Sequence, residues 1–400
     1  MKACLAAVLA LTALVPTLKA AEPFRPKDPG FVVAELPGGA VRSRDSFARQ
    51  MLLSRSDPQK AAQLAAALLE QARVSAQPQL YGRAESVLAP WVARPTVPAA
   101  LLTLEADVLQ QRHEFGPAIG LLDRAIAQDP RAAHARLMRA NVHIVTGEFD
   151  RARPDCTWLL GSGEQWAGSV CLAQVVGSTG QLERARVLLE RLTAEESAGP
   201  SVDVRAWTLA VRADLDMRAG ALAEAQTALT RAVALAPASD YLRLALADVL
   251  IARGYLTDAV NVLGAARPSV GALLRRAIAL ARAHDSQMQG SLAELRERLA
   301  VSAQRGERTH LREEARLALE FANDRRAALA LARDNFAVQR ETEDVRLLAR
   351  AATDARDTAA IARLEAWIRR THYEDVVVDR LLPGRESPSG ATTWIRARRS

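Results

Sequence analysis

Two cysteines, Cys156 and Cys171, fifteen residues apart, carry the sharpest chemical signal in this chain. Thiols can serve as small apolar core residues, or they can oxidise to a disulfide where the compartment allows it. The other residues with reactive side chains do not gather. The histidines His113, His134, His143, His284, His310 and His372 are scattered. His134 and His143 fall on one helical stretch, but no cysteine or carboxylate completes a metal set beside them. His113 and Glu114 read as a solvated pair at a turn. The Gly161-Ser162-Gly163 run follows a helical stretch rather than a strand, so it is a turn and not a phosphate loop. There is no HExxH and no nucleophile elbow. The reading is of a protein that is not an enzyme, with no cofactor and no metal.

The elements that carry these residues are helical. Aromatic residues make up only 4% of the 400-residue chain, and Ala and Leu dominate, a composition that favours closely packed helices. From about Arg44 to about Arg370, apolar residues recur at three- and four-residue spacings. Breaks such as Asp57-Pro58, Gly116-Pro117, Asp129-Pro130, Gly147, Gly180, Gly220 and Gly254 interrupt them about every fifteen residues. Helices this short cannot bury a face alone and must stack.

The stacking has a period. Ala118, Ala152, Ala185, Ala225 and Ala259 are separated by 34, 33, 40 and 34 residues, and the glycines 147, 180, 220 and 254 by 33, 40 and 34. The one long step contains the turn-rich run 195–201. The unit Leu102-Ala106-Leu109-Phe115-Ala118-Leu122-Ala125-Pro130 carries the pattern most fully and resembles the tetratricopeptide repeat. The resemblance is specific over 99–268 and weaker on both sides. It implies an all-α fold, a right-handed α-solenoid of stacked helix-turn-helix hairpins. The expected organisation is a leader at 1–20, an extended Pro-rich segment at 21–43, degenerate hairpins at 44–98, repeats at 99–268, degenerate hairpins at 269–372, and a C-terminal cap and tail at 373–400. The segment at 21–43 is either a linker or an arm on the first helices. In the cap, Val376-Val377-Val378 is either a short strand or an apolar strip laid on the last helix.

The resemblance also says which positions face the concave groove. At the ninth position of successive units stand Asp107, Asn141, Gln174, Asp214 and Asp248, all polar acceptors suited to hydrogen-bonding an extended peptide. The three carboxylates favour a cationic ligand. His134, Trp207 and Tyr241, at second positions, offer flanking anchors. The alternative is a solvated inner face without a ligand. The same register puts Cys156 on the second helix of one unit and Cys171 on the first helix of the next, two helices that pack together. A bridge between them would stabilise by about 3 kcal/mol.

Met1-Lys2, the apolar run Ala3–Val15 and the small Ala20 read as a cleaved secretory signal, too short to span a bilayer. Export to the periplasm or beyond follows as an expectation, and it favours the disulfide. No later stretch is apolar enough to cross a membrane. The net charge of +7 comes almost wholly from arginine, but acids interrupt every basic cluster before the last residues, so nucleic acid is not the expected partner. The functional expectation is a monomeric periplasmic scaffold that binds a protein or peptide in its groove. The alternative is an accessory factor that docks a cell-envelope or membrane complex through its convex face or N-terminal segment.

Overall fold

The computed structural model describes residues 47–75, 77, 79–194, 200–306 and 308–382. The expected leader, the Pro-rich segment and the residues beyond 382 lie outside them. A helix at 47–54 (α1) precedes α2 (Pro58–Ser75), α3 (Gln79–Val92), α4 (Ala99–Gln111), α5 (Phe115–Gln128), α6 (Ala133–Val145) and α7 (Phe149–Gly161). The middle contains α8 (Gln165–Gly177), α9 (Leu182–Ala194), α10 (Val202–Arg218), α11 (Leu222–Leu235), α12 (Asp240–Arg253) and α13 (Leu256–Gly264). Then come α14 (Val270–Arg282), α15 (Met288–Gln304), α16 (Leu311–Leu317), α17 (Arg325–Val338), α18 (Thr342–Asp354), α19 (Thr358–Thr371) and α20 (Val376–Leu381). The fold is all-α, and the helices pack as sequential hairpins, α2 with α3, α4 with α5, and so on to α18 with α19.

The hairpin turns share one backbone solution. Gly147, Gly180, Gly220 and Gly254 all adopt left-handed φ, and His113, His284, Asn323 and Arg356 do so at the corresponding turns of the other hairpins. Non-glycine residues reach this conformation at a steric cost, so the turn repeats outside 147–254 without the glycine that marks it in the sequence. Asn323 closes a π-helical turn, Ala318–Ala322, that extends α16.

Small residues set the interhelical distances. Ala118, Ala152, Ala185, Ala225 and Ala259 are all essentially inaccessible. At Gly168 in α8 a Cβ would lie 2.5 Å from the Leu160 amide nitrogen of α7, so only glycine permits that approach. Nearby, Cys156 of α7 and Cys171 of α8 are joined by a disulfide with their Cα atoms 5.3 Å apart.

The C-terminal hairpins do not simply continue the stack. One buried cluster unites Ala140, Phe149, Cys156, Cys171 and Val175 with Val345, Leu364, Trp367, Tyr373 and Val378. Trp367 sits at its centre, 6.3 Å from Phe149, 5.5 Å edge-on from Phe336 and 5.3 Å from Tyr373 by ring centroids. Burying a Phe- or Ile-sized side chain contributes about 1.5–3 kcal/mol, so this junction is a substantial core in its own right. Val376-Val377-Val378 is therefore neither a strand nor merely a cover for the last helix. Asp375 caps it by accepting from the Val377 amide at 2.8 Å, it forms the short helix α20, and Val376 reaches the turn at Gly220.

Candidate functional site

The returning C-terminal segment lies across three successive hairpin turns. A Cβ at Gly147 would meet Arg340 and Trp367, one at Gly180 would meet His372, and one at Gly220 would meet Val376, whereas Gly254 faces open space. Polar contacts reinforce the apolar ones. The Arg340 amide donates to the Val145 carbonyl at 2.7 Å, and its guanidinium donates to the carbonyl of Thr146. The Leu182 amide donates to Glu374 Oε2 at 2.8 Å across 192 residues of sequence. Arg346 pairs with the buried Asp375 at 2.8 Å and donates to the Met217 carbonyl at 2.9 Å.

Arg218 anchors this junction. It is 1% exposed, and its guanidinium donates to the Glu374 carbonyl at 3.1 Å, Ser178 Oγ at 3.1 Å and the Gly177 carbonyl at 2.6 Å. The same group lies 4.1 Å over the Tyr373 ring, a cation–π arrangement. One helical turn earlier on α10 stands Asp214, on the same face. Burial pushes the Asp214 carboxyl above its ordinary range, while Arg218, the Thr342 hydroxyl and Arg346 oppose the shift. Tyr373 Oη lies 3.2 Å from Thr342 Oγ1, beside Asp214 at the start of α18. Thr342 opens α18, whose start is fixed by a capping box between Glu341 and Asp344.

Between this closure and the first helices of the central hairpins lies a cavity of about 280 Å³. Asn141, Gln174, Trp207, Asp214 and Tyr241 line it from the groove side, and Arg340, Glu341, Thr342 and Tyr373 from the C-terminal side. Two features leave it open to a guest. Gln174 Oε1 is buried without a hydrogen-bond partner among the described residues, and Tyr241 is 67% exposed. The Tyr241 hydroxyl is pushed up, first by burial and then by Glu341 and Asp214, with Arg312 opposing.

Five of the eight groove residues expected from the sequence thus share one cavity. The other three do not. His134 is exposed and lines no part of it. Asp107 is buried against Arg73 at 3.1 Å and Gln111 at 3.4 Å, and Gln110 is the α4 residue that reaches the cavity. Asp248 is bonded to Arg275 at 2.6 Å and to Arg316 at 3.2 Å. Burial would raise its carboxyl, but the two guanidinium groups outweigh that and hold it low. The expectation of a cationic ligand on three free carboxylates therefore needs correction, because each one already has an internal cation or hydroxyl. Arg340, Thr342 and Tyr373 were not legible as site residues. Only the chain's return brings them into the groove.

Among the described residues, no group of three or more metal-binding side chains comes together, and no helix is long and apolar enough to cross a membrane. No protein-family model matches the sequence, and no curated protein matches it. Solved structures do resemble the fold. A tetratricopeptide-repeat protein from Parabacteroides merdae is 18% identical, with a TM-score of 0.38 over 59% of this chain and 93% of the other. The Cut9 and Hcn1 hetero-tetramer of the APC/C is 12% identical, with a TM-score of 0.47 over 86% and 74%. The human IFIT1 dimer with PPP-AAAA is 13% identical, with a TM-score of 0.47 over 83% of each. At such identities and TM-scores these likenesses carry nothing further, and the helical-repeat fold rests on the packing of successive hairpins.

Proposed function

We propose that this protein is a non-catalytic interaction scaffold that takes a peptide segment of a protein partner into the part of its concave face left open by the C-terminal return. The observation that carries the reading is the cavity beside Tyr241. Two aromatic rings, Trp207 and Tyr241, flank two amides, Asn141 and Gln174, and one of those amides has a buried oxygen without a donor. Aromatic anchors and side-chain amides are the groups by which a helical groove holds an extended backbone. The partner's backbone N–H would supply the donor that Gln174 lacks.

Export belongs to the same proposal. The apolar leader at Ala3–Val15 and the Cys156–Cys171 bridge both suit an oxidising compartment. A photo-crosslinking residue at position 241, and in parallel at the exposed Val187 of α9, tests the reading in periplasmic material. The expected outcome is a crosslinked partner at 241 whose attachment maps to one peptide segment and is abolished by combined Asn141→Ala and Gln174→Ala substitution. Capture at 187 with none at 241 would overturn it in favour of docking through the convex face.

A further inference from the structure

The one irregular step in the repeat is where the helices leave a second space. α10 has 17 residues where α6 and α8 have 13 each, and the separation of the turn glycines rises to 40 between Gly180 and Gly220. At that end of the α8/α9 and α10/α11 hairpins lies a cavity of about 420 Å³, larger than the groove cavity and within the size range of small-molecule sites. Its apolar wall is built from Trp166, Leu192, Leu209, Ala234 and Leu235.

The polar groups of this cavity have one sign. Arg205 and Arg231 line it, Arg231 already engaged in an interaction of its own, and among the described residues no carboxylate does. The two hydroxyls in its wall are already engaged. Thr208 Oγ1 accepts from Trp166 Nε1 at 2.9 Å and donates to the Val204 carbonyl at 2.7 Å. Thr193 Oγ1 accepts from Arg212 at 2.7 Å and donates to the Leu189 carbonyl at 2.9 Å. Arg205 differs: its Nε is buried and has no hydrogen-bond acceptor among the described residues. A buried guanidinium N–H without an acceptor costs free energy that an anion would restore, and charge-assisted bonds to carboxylate are the strong class.

We propose that this cavity binds a small monocarboxylate with an apolar body, its carboxylate on Arg205 and its hydrocarbon or aromatic part against Trp166, Leu209 and Leu235. A compact dianion such as phosphate fits less well, because it would need several donors at once and the wall is chiefly apolar. The site is separate from the groove cavity, with no lining residue in common.

Calorimetric titration of the full chain with octanoate and phenylacetate, alongside octanol and inorganic phosphate, tests the proposal. Saturable binding of at least one of the two acids is expected, at least tenfold tighter than octanol. Arg205→Gln should weaken acid binding by about tenfold or more and leave octanol unchanged, the loss of one charge-assisted contact. Because Ala234 is exposed at the rim, Ala234→Phe should fold normally and exclude the ligand, which guards against a misfolded Arg205 variant. Absence of saturable binding of both acids, equal affinity of octanoate and octanol, an Arg205→Gln protein that binds acid as the parent does, or binding of phosphate in preference to the acids would each overturn it.

Discussion

His372 stands so close to the turn at Gly180 that a Cβ on the glycine would lie 2.9 Å from the His372 Cβ. Two residues distant in sequence are in this way fitted to each other, and each adopts left-handed φ, +82° for Gly180 and +56° for His372. Gly254 has nearly the same backbone angle, +81°, and no neighbour within 4 Å. The pair separates two costs. Gly254→Ala should destabilise by about 1–2 kcal/mol, from conformation alone. Gly180→Ala should cost distinctly more, because the C-terminal segment must also move. Urea denaturation of the two variants makes the comparison, and equal losses would mean that the contact at His372 is slack.

Replacing Arg218 by methionine leaves the carbonyls of Gly177 and Glu374 without their donor and removes the main cation opposing the burial of Asp214. The expected loss is about 3–5 kcal/mol, as for one partner removed from a buried ionic contact. Hydrogen exchange should accelerate first at the Val377 and Val378 amides of α20. Tyr373→Phe, which removes only the contact with Thr342, should cost about 1 kcal/mol.

Reduction of the Cys156–Cys171 bridge should lower stability by about 3 kcal/mol for a loop of this length. A Cys156→Ala/Cys171→Ala double variant should show the same loss without reductant. Mass spectrometry of alkylated, non-reduced protein should find neither thiol labelled.

Glu105 supplies a pH dependence. It is 8% exposed, its Oε2 has no partner among the described residues, and its carboxyl is raised from 4.5 to about 7 by burial and then by Glu85, with Arg112 opposing. A carboxyl whose folded value lies above its unfolded value is better accommodated protonated. Its contribution is complete below about 4.5 and is lost as pH rises through about 7. Glu105→Gln should therefore stabilise the protein at pH 8, by on the order of 3 kcal/mol, and give no gain at pH 4. Denaturant titrations of parent and variant at the two pH values check the sign.

The hairpins of 99–268 were legible because their information is local. A small residue must stand where two helices touch, and a glycine where the backbone turns left-handed, so Ala152 and Gly147 announce themselves within one unit. The cavity was half legible for the same reason. Asn141, Gln174 and Asp214 follow from register, and Trp207 and Tyr241 from the position that flanks it. What the local pattern does not contain is the return of the chain. Tyr373 and Thr342 acquire their meaning from Asp214 and Arg218, more than 120 residues earlier. Periodicity treats those positions as ordinary helix starts and caps. The misreading of Asp107 and Asp248 has a related cause, since Arg73 and Arg316 belong to other hairpins and look like solvated charges in sequence.

The return of α18–α20 onto the turns of α6/α7, α8/α9 and α10/α11 also sets an order of events. In an open helical repeat each unit depends only on its neighbours, and folding can proceed as the chain emerges. Here Phe149 and Val175 share a core with Trp367 and Val378, so they remain uncovered until the chain has been made past Val378. Residues made late shield surfaces made much earlier. A protein truncated before Trp367 should expose a sticky apolar strip along its central hairpins, and a full-length chain should mature late and all at once.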